Sequence, residues 1–269
     1  RYIKEPAWDG RLPMEQNVYK NQIDAIRKRG GDVIMSFGGE AGKELANIID
    51  DPAELEAAYQ SVIDRYKFTW LDFDIEGHNL DQGKLDSERR NTALTSLQKK
   101  NPGLIISYTL PVNPDGLSEE SCALLTDAVA RGVKVHSVDI MVMFFGKKFI
   151  NKGKSEGRLG IESAIKAREQ LQKIDPTIEV GLCPCLGRNG SKNEVFTPDD
   201  ARTLADFAAK TPWICSLHYW SINDDAALRG RRRASNAAAT NSVVITTNTA
   251  VAPARPFAFA NIFRSFTMH

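Results

Sequence analysis

An α/β fold, with a parallel sheet covered by helices, is predicted by two observations, and a third narrows it to a barrel. Helix-period and strand-like segments alternate along most of the 269 residues, the pattern left by crossover connections between parallel strands. No GxGxxG turn follows an early strand, which removes the main support for a dinucleotide-binding sheet. Polar or reactive residues gather near the C-terminal ends of several predicted strands: Ser36 with Gly38 and Gly39, Glu76, Phe145 and Trp220. That is where a TIM (β/α)8 barrel builds its site. Six strands are counted, so the expectation is one barrel domain over residues 1–269 with the first two strands absent from this chain.

The elements follow in order. Residues 19–29 carry apolar side chains at helical spacing and stop at Gly30-Gly31; residues 33–37 then read as a strand. Residues 52–66 form the next helix, with Asp51 as its cap and several alanines favouring the conformation. The strand at 69–75 follows. The spacing predicts a helix over 85–98 and a strand over 105–110 that Pro111 ends, then a helix over 118–130 and a strand over 138–145. A helix over 161–172 with a strand at 179–184, and a helix over 198–209 with a strand at 214–220, complete the cycles. Arg229 to Arg233 holds four arginines, and the stretch after it is rich in Ala, Thr, Asn and Ser, so 229–254 is expected to be a flexible loop. Apolar spacing returns at 257–266 and predicts a closing helix.

Composition narrows the function classes. A formal net charge of +1 gives no general electrostatic hold on nucleic acid or on an anionic membrane. No segment is long and apolar enough to span a bilayer. Four cysteines in a chain of this length read as reduced thiols; Cys183 and Cys185 share a strand face, where they fill space as small residues. Asn189-Gly190-Ser191 is a formal glycosylation acceptor, a triplet that chance supplies easily.

The chemistry is concentrated in Leu71-Asp72-Phe73-Asp74-Ile75-Glu76. Side chains alternate across a strand, so Asp72, Asp74 and Glu76 share one face while Leu71, Phe73 and Ile75 share the other. In a barrel the apolar set packs under the helices and the acids line the interior, Glu76 nearest the rim. Carboxylates this close resist simultaneous ionisation, which favours a shared proton or a raised pKa on one of them. A protonated carboxyl at mild pH is what protonation of a leaving-group oxygen requires. The rival reading is a divalent metal site, since hard cations also favour clustered carboxylates. None of His78, His136, His218 or His269 shows a recognised ligand spacing with the acids, and no metal or cofactor is expected.

At these residues the sequence resembles the family 18 glycoside hydrolases, the chitinases and their relatives. The family signature DGxDxDxE matches Thr69-Trp70-Leu71-Asp72-Phe73-Asp74-Ile75-Glu76, and Ser36-Phe37-Gly38-Gly39 matches its SxGG element. Ser107-Tyr108-Thr109-Leu110-Pro111-Val112, the strand with Met141 and Met143, and Trp220 extend the resemblance over nearly the whole chain. It implies that Glu76 is the general acid, that Asp74 orients the substrate's 2-acetamido group and stabilises positive charge, and that Asp72 modulates Asp74. It implies an intramolecular nucleophile, the acetamido carbonyl, and retention at the anomeric carbon. The implied substrate is chitin or chito-oligosaccharides, held by Ser36, Gly38, Gly39, Tyr108, Met141, Met143, Phe145 and Trp220, and the implied location is extracellular.

The chain departs from the family at one place that bears on turnover. The sixth-strand element MxMDYG reads Met141-Val142-Met143-Phe144-Phe145-Gly146 here, so Phe145 stands where the family tyrosine donates to the acetamido carbonyl. Losing one such donor costs roughly 2.7–4 kcal/mol of transition-state stabilisation. Two readings follow: a hydrolase of reduced activity, or a chito-oligosaccharide-binding relative without effective hydrolysis.

Overall fold

Six parallel strands, each followed by helix, carry the chain: β1 (Met35–Gly38), β2 (Trp70–Asp74), β3 (Ile105–Asn113), β4 (Val135–Met141), β5 (Glu179–Cys183) and β6 (Ile214–Leu217). This is a mixed α/β domain of the (β/α)8 type, with six barrel strands present. The computed structural model describes residues 4–81, 84–150, 153–191, 193–227 and 257–266. The expected loop at 229–254 lies outside the described residues. The chain divides into two units: residues 1–112, 116–140 and 166–180 form the first, and 113–115, 141–165 and 181–269 the second.

In the first unit, β1 to β4 lie side by side in chain order, followed by the start of β5. The register sets Ser36, Asp72 and Ser107 next to one another, and Phe37, Phe73 and Tyr108 next to one another on the opposite face. That second face is the core. Leu71, Phe73 and Ile75 are fully buried, and the Phe37 ring stacks on Phe73 at 5.5 Å between centroids with Tyr59 edge-on to both.

The helix bearing Tyr59 is α1 (Pro52–Tyr66), which begins where the sequence says it should. Asp51 accepts hydrogen bonds from the backbone N–H groups of Ala53 and Glu54, and Pro52 occupies a position whose N–H would be unsatisfied anyway. Next along the chain are α2 (Lys84–Lys100) and α3 (Glu119–Ala130), the latter capped by the Ser118 hydroxyl. Pro111 does not end β3, contrary to expectation. The strand runs on to Asn113, and Gly116–Leu117 pairs with it.

In the second unit, the Val142 N–H donates to Cys183 O and the His218 N–H to Leu182 O, continuing the parallel pairing across the end of β5. Helix α4 (Pro198–Ala208) opens with a reciprocal capping box between Thr197 and Asp200. The closing helix is shorter than expected, Ala258–Phe263, and its first turn is held by Asp225, whose carboxylate accepts from the N–H groups of Phe259 and Ala260. No helix among the described residues is long and apolar enough to cross a membrane. None of the four cysteines is in a disulfide.

Candidate active site

The acidic face of β2 is built by its neighbours in register. Asp72 is buried, and three hydroxyls donate to its carboxylate: Ser36 Oγ at 2.7 Å, Ser107 Oγ at 2.8 Å and Thr109 Oγ1 at 3.0 Å. Ser107 in turn accepts from the Trp70 indole N–H at 2.9 Å, which orients its hydroxyl toward Asp72. Burial and the charge of Asp139 on β4 push the Asp72 carboxyl up to about 6, although the three donors pull the other way.

Asp74 sits one step nearer the strand end and has fewer partners. Its Oδ1 is buried with no hydrogen-bond partner among the described residues. Burial first, then the charges of Glu76 and Asp72, raise its carboxyl to about 8, so it holds a proton at neutral pH. Glu76 lies past the end of β2 and is half-buried. Burial and the nearby Glu40 raise it as well, while the Glu40 backbone N–H bonds to it and opposes the rise. The three acids thus form a graded column: an anchored base, a neutral carboxylic acid, and a more open carboxyl at the rim.

Linkage gives the pH dependence of this arrangement. Asp74 has a folded value near 8 against an ordinary 3.8, so its contribution to stability is complete below 3.8 and is lost as pH rises through about 8. An amide at this position cannot ionise. Asp74→Asn is therefore expected to raise the melting temperature relative to the parent at pH 9 by more than at pH 5. Equal differences at the two pH values would contradict a buried, neutral Asp74.

The SxGG element is explained by crowding against β2. A Cβ on Gly38 would stand 2.0 Å from the Asp74 carbonyl oxygen, and its φ of +109° suits only glycine. The Gly39 N–H donates to that same oxygen at 2.9 Å. Asn79, just beyond Glu76, fastens the loop by donating from its side chain to Gly39 O and Gly42 O. Gly38→Ala combines overlap with backbone strain, and a loss of about 3 kcal/mol or more is expected on chemical denaturation. An unshifted midpoint would mean the loop moves freely.

Two of the expected substrate residues are placed differently. Tyr108 is fully buried on the helix-facing side of β3, and its hydroxyl donates to Asn91 Oδ1 at 2.5 Å. The strand alternation that gives Ser107 and Thr109 to the acids takes Tyr108 away from them, so it is a core residue. In the second unit, Phe145 is 6% exposed whereas its neighbour Phe144 is 57% exposed. The expected strand 138–145 ends at Met141, and Phe144 takes a left-handed φ of +52°, so the alternation that would have presented Phe145 stops short of it. Met141 and Met143 are half-buried.

Trp220 follows β6, is 66% exposed as a residue, and has its backbone fixed at both ends. Its N–H donates to Pro184 O at 2.9 Å and its carbonyl accepts from the Leu186 N–H at 2.8 Å. The peptide bond to Ser221 is cis. The Asn189 triplet cannot serve as a glycosylation acceptor in this fold, because Asn189 is 4% exposed and its amide is engaged. Thr69, in place of the first signature acid, lies just before β2, at the end far from Glu76, and faces Asp32.

Sequence reasoning missed Ser107 and Thr109 as donors, Asp139 as the second buried acid, Glu40 and Asn79. Period-two reading of 105–110 contains the first two, and Asp139 is the lone acid of β4. Asn79 carried no signal.

No family model matches the chain. A protein of Escherichia coli strain K12 described as "Probable bifunctional chitinase/lysozyme" is 31% identical over 237 residues, 82% of this chain and 26% of that protein. "Endochitinase 11" of Metarhizium anisopliae is 31% identical over 228 residues, 79% of this chain and 43% of its own length. The chain therefore spans less than half the length of these curated relatives. Among solved structures, the catalytic domain of a hyperthermophilic chitinase from Pyrococcus furiosus superimposes with a TM-score of 0.75 at 28% identity, covering 97% of this chain and 80% of that one.

Proposed function

Because this chain belongs to the chitinase-like family 18 of glycoside hydrolases, we propose that it hydrolyses β-1,4 bonds between N-acetylglucosamine units by substrate-assisted, retaining catalysis. The observation that carries the reading is the graded column of Asp72 and Asp74 on β2 with Glu76 just past its end. Glu76, held toward its protonated form by burial and Glu40, is the donor to the glycosidic oxygen and, once deprotonated, the base that activates water. Neutral Asp74 offers a carbonyl oxygen to the acetamido N–H and an O–H to a neighbouring carboxylate. This aligns the acetamido oxygen for attack on the anomeric carbon, where proximity replaces an enzyme nucleophile. Asp72, fixed by three hydroxyls, supplies the negative charge that offsets the cation developing on the sugar. Trp220, with its exposed ring, is the proposed floor for a pyranose. An insoluble polymer as substrate implies action outside the cell.

The test is incubation with chito-oligosaccharides and observation of the anomeric proton of the newly formed reducing end. Shorter oligomers released first as the β-anomer are expected. Release as the α-anomer would overturn the mechanism, and release of nothing would overturn hydrolysis. A second reading, oligosaccharide binding without effective turnover, is favoured specifically by Phe145, which carries no hydroxyl and is buried. Saturable binding heat from an oligomer that is never cleaved would decide for it.

A further inference from the structure

Within the second unit, a buried polar network grips the segment where this chain departs from its family. Asn189 Oδ1 accepts from the Phe144 N–H at 3.0 Å, and Asn189 Nδ2 donates to Glu156 Oε2 at 2.9 Å and to the carbonyls of Cys185 and Gly187 at 3.3 Å. Glu194, fully buried, accepts from the Gly146 N–H and from the Ser191 N–H. Gly190 completes the grip: a Cβ there would stand 1.6 Å from Glu194 Oε2, and the nearest Phe144 ring carbon is 3.3 Å from the same position.

A bulky residue at φ +52° is strained unless its surroundings hold it, and such residues cluster at ligand clamps. Here the holding group is buried and the ring it holds is not. Asn189 is 4% exposed and Phe144 57% exposed. An exposed aromatic on a backbone fixed by a buried side chain is a preorganised flat surface, able to meet the apolar face of a pyranose with little loss of conformational freedom. The same network reaches Trp220. Cys185, whose carbonyl accepts from Asn189, is bridged to Trp220 in parallel, and the adjacent Leu186 N–H donates to Trp220 O. One buried amide thus ties together the backbones of the two most exposed aromatic rings of this unit.

We infer that Phe144 is a carbohydrate-stacking residue of this protein and that Asn189 is the positioning residue that holds it. The inference rests on the carbohydrate reading above and deepens it: the polar side chain of the family is replaced at this position by an apolar platform for an N-acetylglucosamine ring. Specificity shifts accordingly toward ring-face contact and away from a hydrogen bond to one substituent.

The experiment is calorimetric titration of chitotetraose in a Glu76→Gln background, where no turnover interferes. Phe144→Ala is expected to weaken affinity about tenfold, and Phe144→Tyr to stay within about twofold of the parent, since the ring face is kept. Asn189→Ala is expected to weaken affinity in the parent but to add nothing to Phe144→Ala, which is the signature of acting through that ring. A purely structural Asn189 would instead lower the melting temperature without this non-additivity. Unchanged affinity in Phe144→Ala, or equal loss in Phe144→Tyr, overturns the inference while leaving the proposed function standing. Absence of binding by the Glu76→Gln parent overturns both.

Discussion

Glu76→Gln is expected to lower the rate of chitotetraose hydrolysis by about 1,000-fold, within the range that general acid–base catalysis contributes. The amide is isosteric and cannot donate a proton of suitable acidity, so the acids below it should stay in place. The donors to Asp72 come from β1 and β3, not from Glu76. The magnitude depends on the leaving group. An unactivated sugar alkoxide needs its proton in the transition state, whereas a dinitrophenolate leaves without one. The same variant should lose far less activity, about tenfold or less, on a dinitrophenyl chitobioside. Equal losses on the two substrates would show that Glu76 is structural. Loss of activity on both together with loss of oligosaccharide binding would point to a disturbed fold, which near-ultraviolet circular dichroism would register separately.

The acid column was legible in the sequence because it obeys a period of two over six residues, a pattern that leaves only one arrangement of faces. The helix at Pro52–Tyr66 was legible for a similarly local reason: Asp51 and Pro52 mark its start and apolar spacing its length. Failures came where a local rule met a distant partner. Tyr108 was assigned to the substrate through its place in a motif, yet the alternation that orients Asp72 sends it to Asn91. Phe145 was assigned through its place in the family's sixth-strand motif, but the strand ends at Met141, and the Phe144 N–H is held by Asn189, 45 residues later. Asn189 itself resembled a surface glycosylation site, and only the fold places it inside. A raised pKa on one of the acids was anticipated without saying which; that Asp72 would be held by three hydroxyls, without an arginine, depended on the register of β1, β2 and β3.

Glu44→Gln is expected to destabilise the chain by about 3–5 kcal/mol, the cost of leaving a buried charge uncompensated. Arg90 and Glu44 are 0% and 1% exposed, with Arg90 Nε donating to Glu44 Oε2 at 3.0 Å. Glu44 also accepts from the Tyr59 hydroxyl and from the Ala46 N–H, so one carboxylate satisfies three donors. The two terminal nitrogens of Arg90 have no hydrogen-bond partner among the described residues, which leaves Glu44 as the carboxylate bonded to the guanidinium. Burial is the largest influence and opposes ionisation of that guanidinium, but the Glu44 charge and hydrogen bond, together with the Tyr59 and Tyr108 hydroxyl groups, overcome it and raise the Arg90 value. Removing the negative charge therefore strands a cation that cannot shed its proton. Removing both charges strands nothing: Glu44→Leu with Arg90→Met is expected to cost much less than either single change, and the double-mutant cycle in denaturant measures the difference. Additive losses would mean that water reaches the pair. Glu44 follows closely on Gly39, whose N–H donates to the Asp74 carbonyl oxygen, so the pair lies near the acidic strand in the chain. A protein weakened here should lose activity through the folded fraction, with the rate per folded molecule unchanged and the total rate recovering at lower temperature.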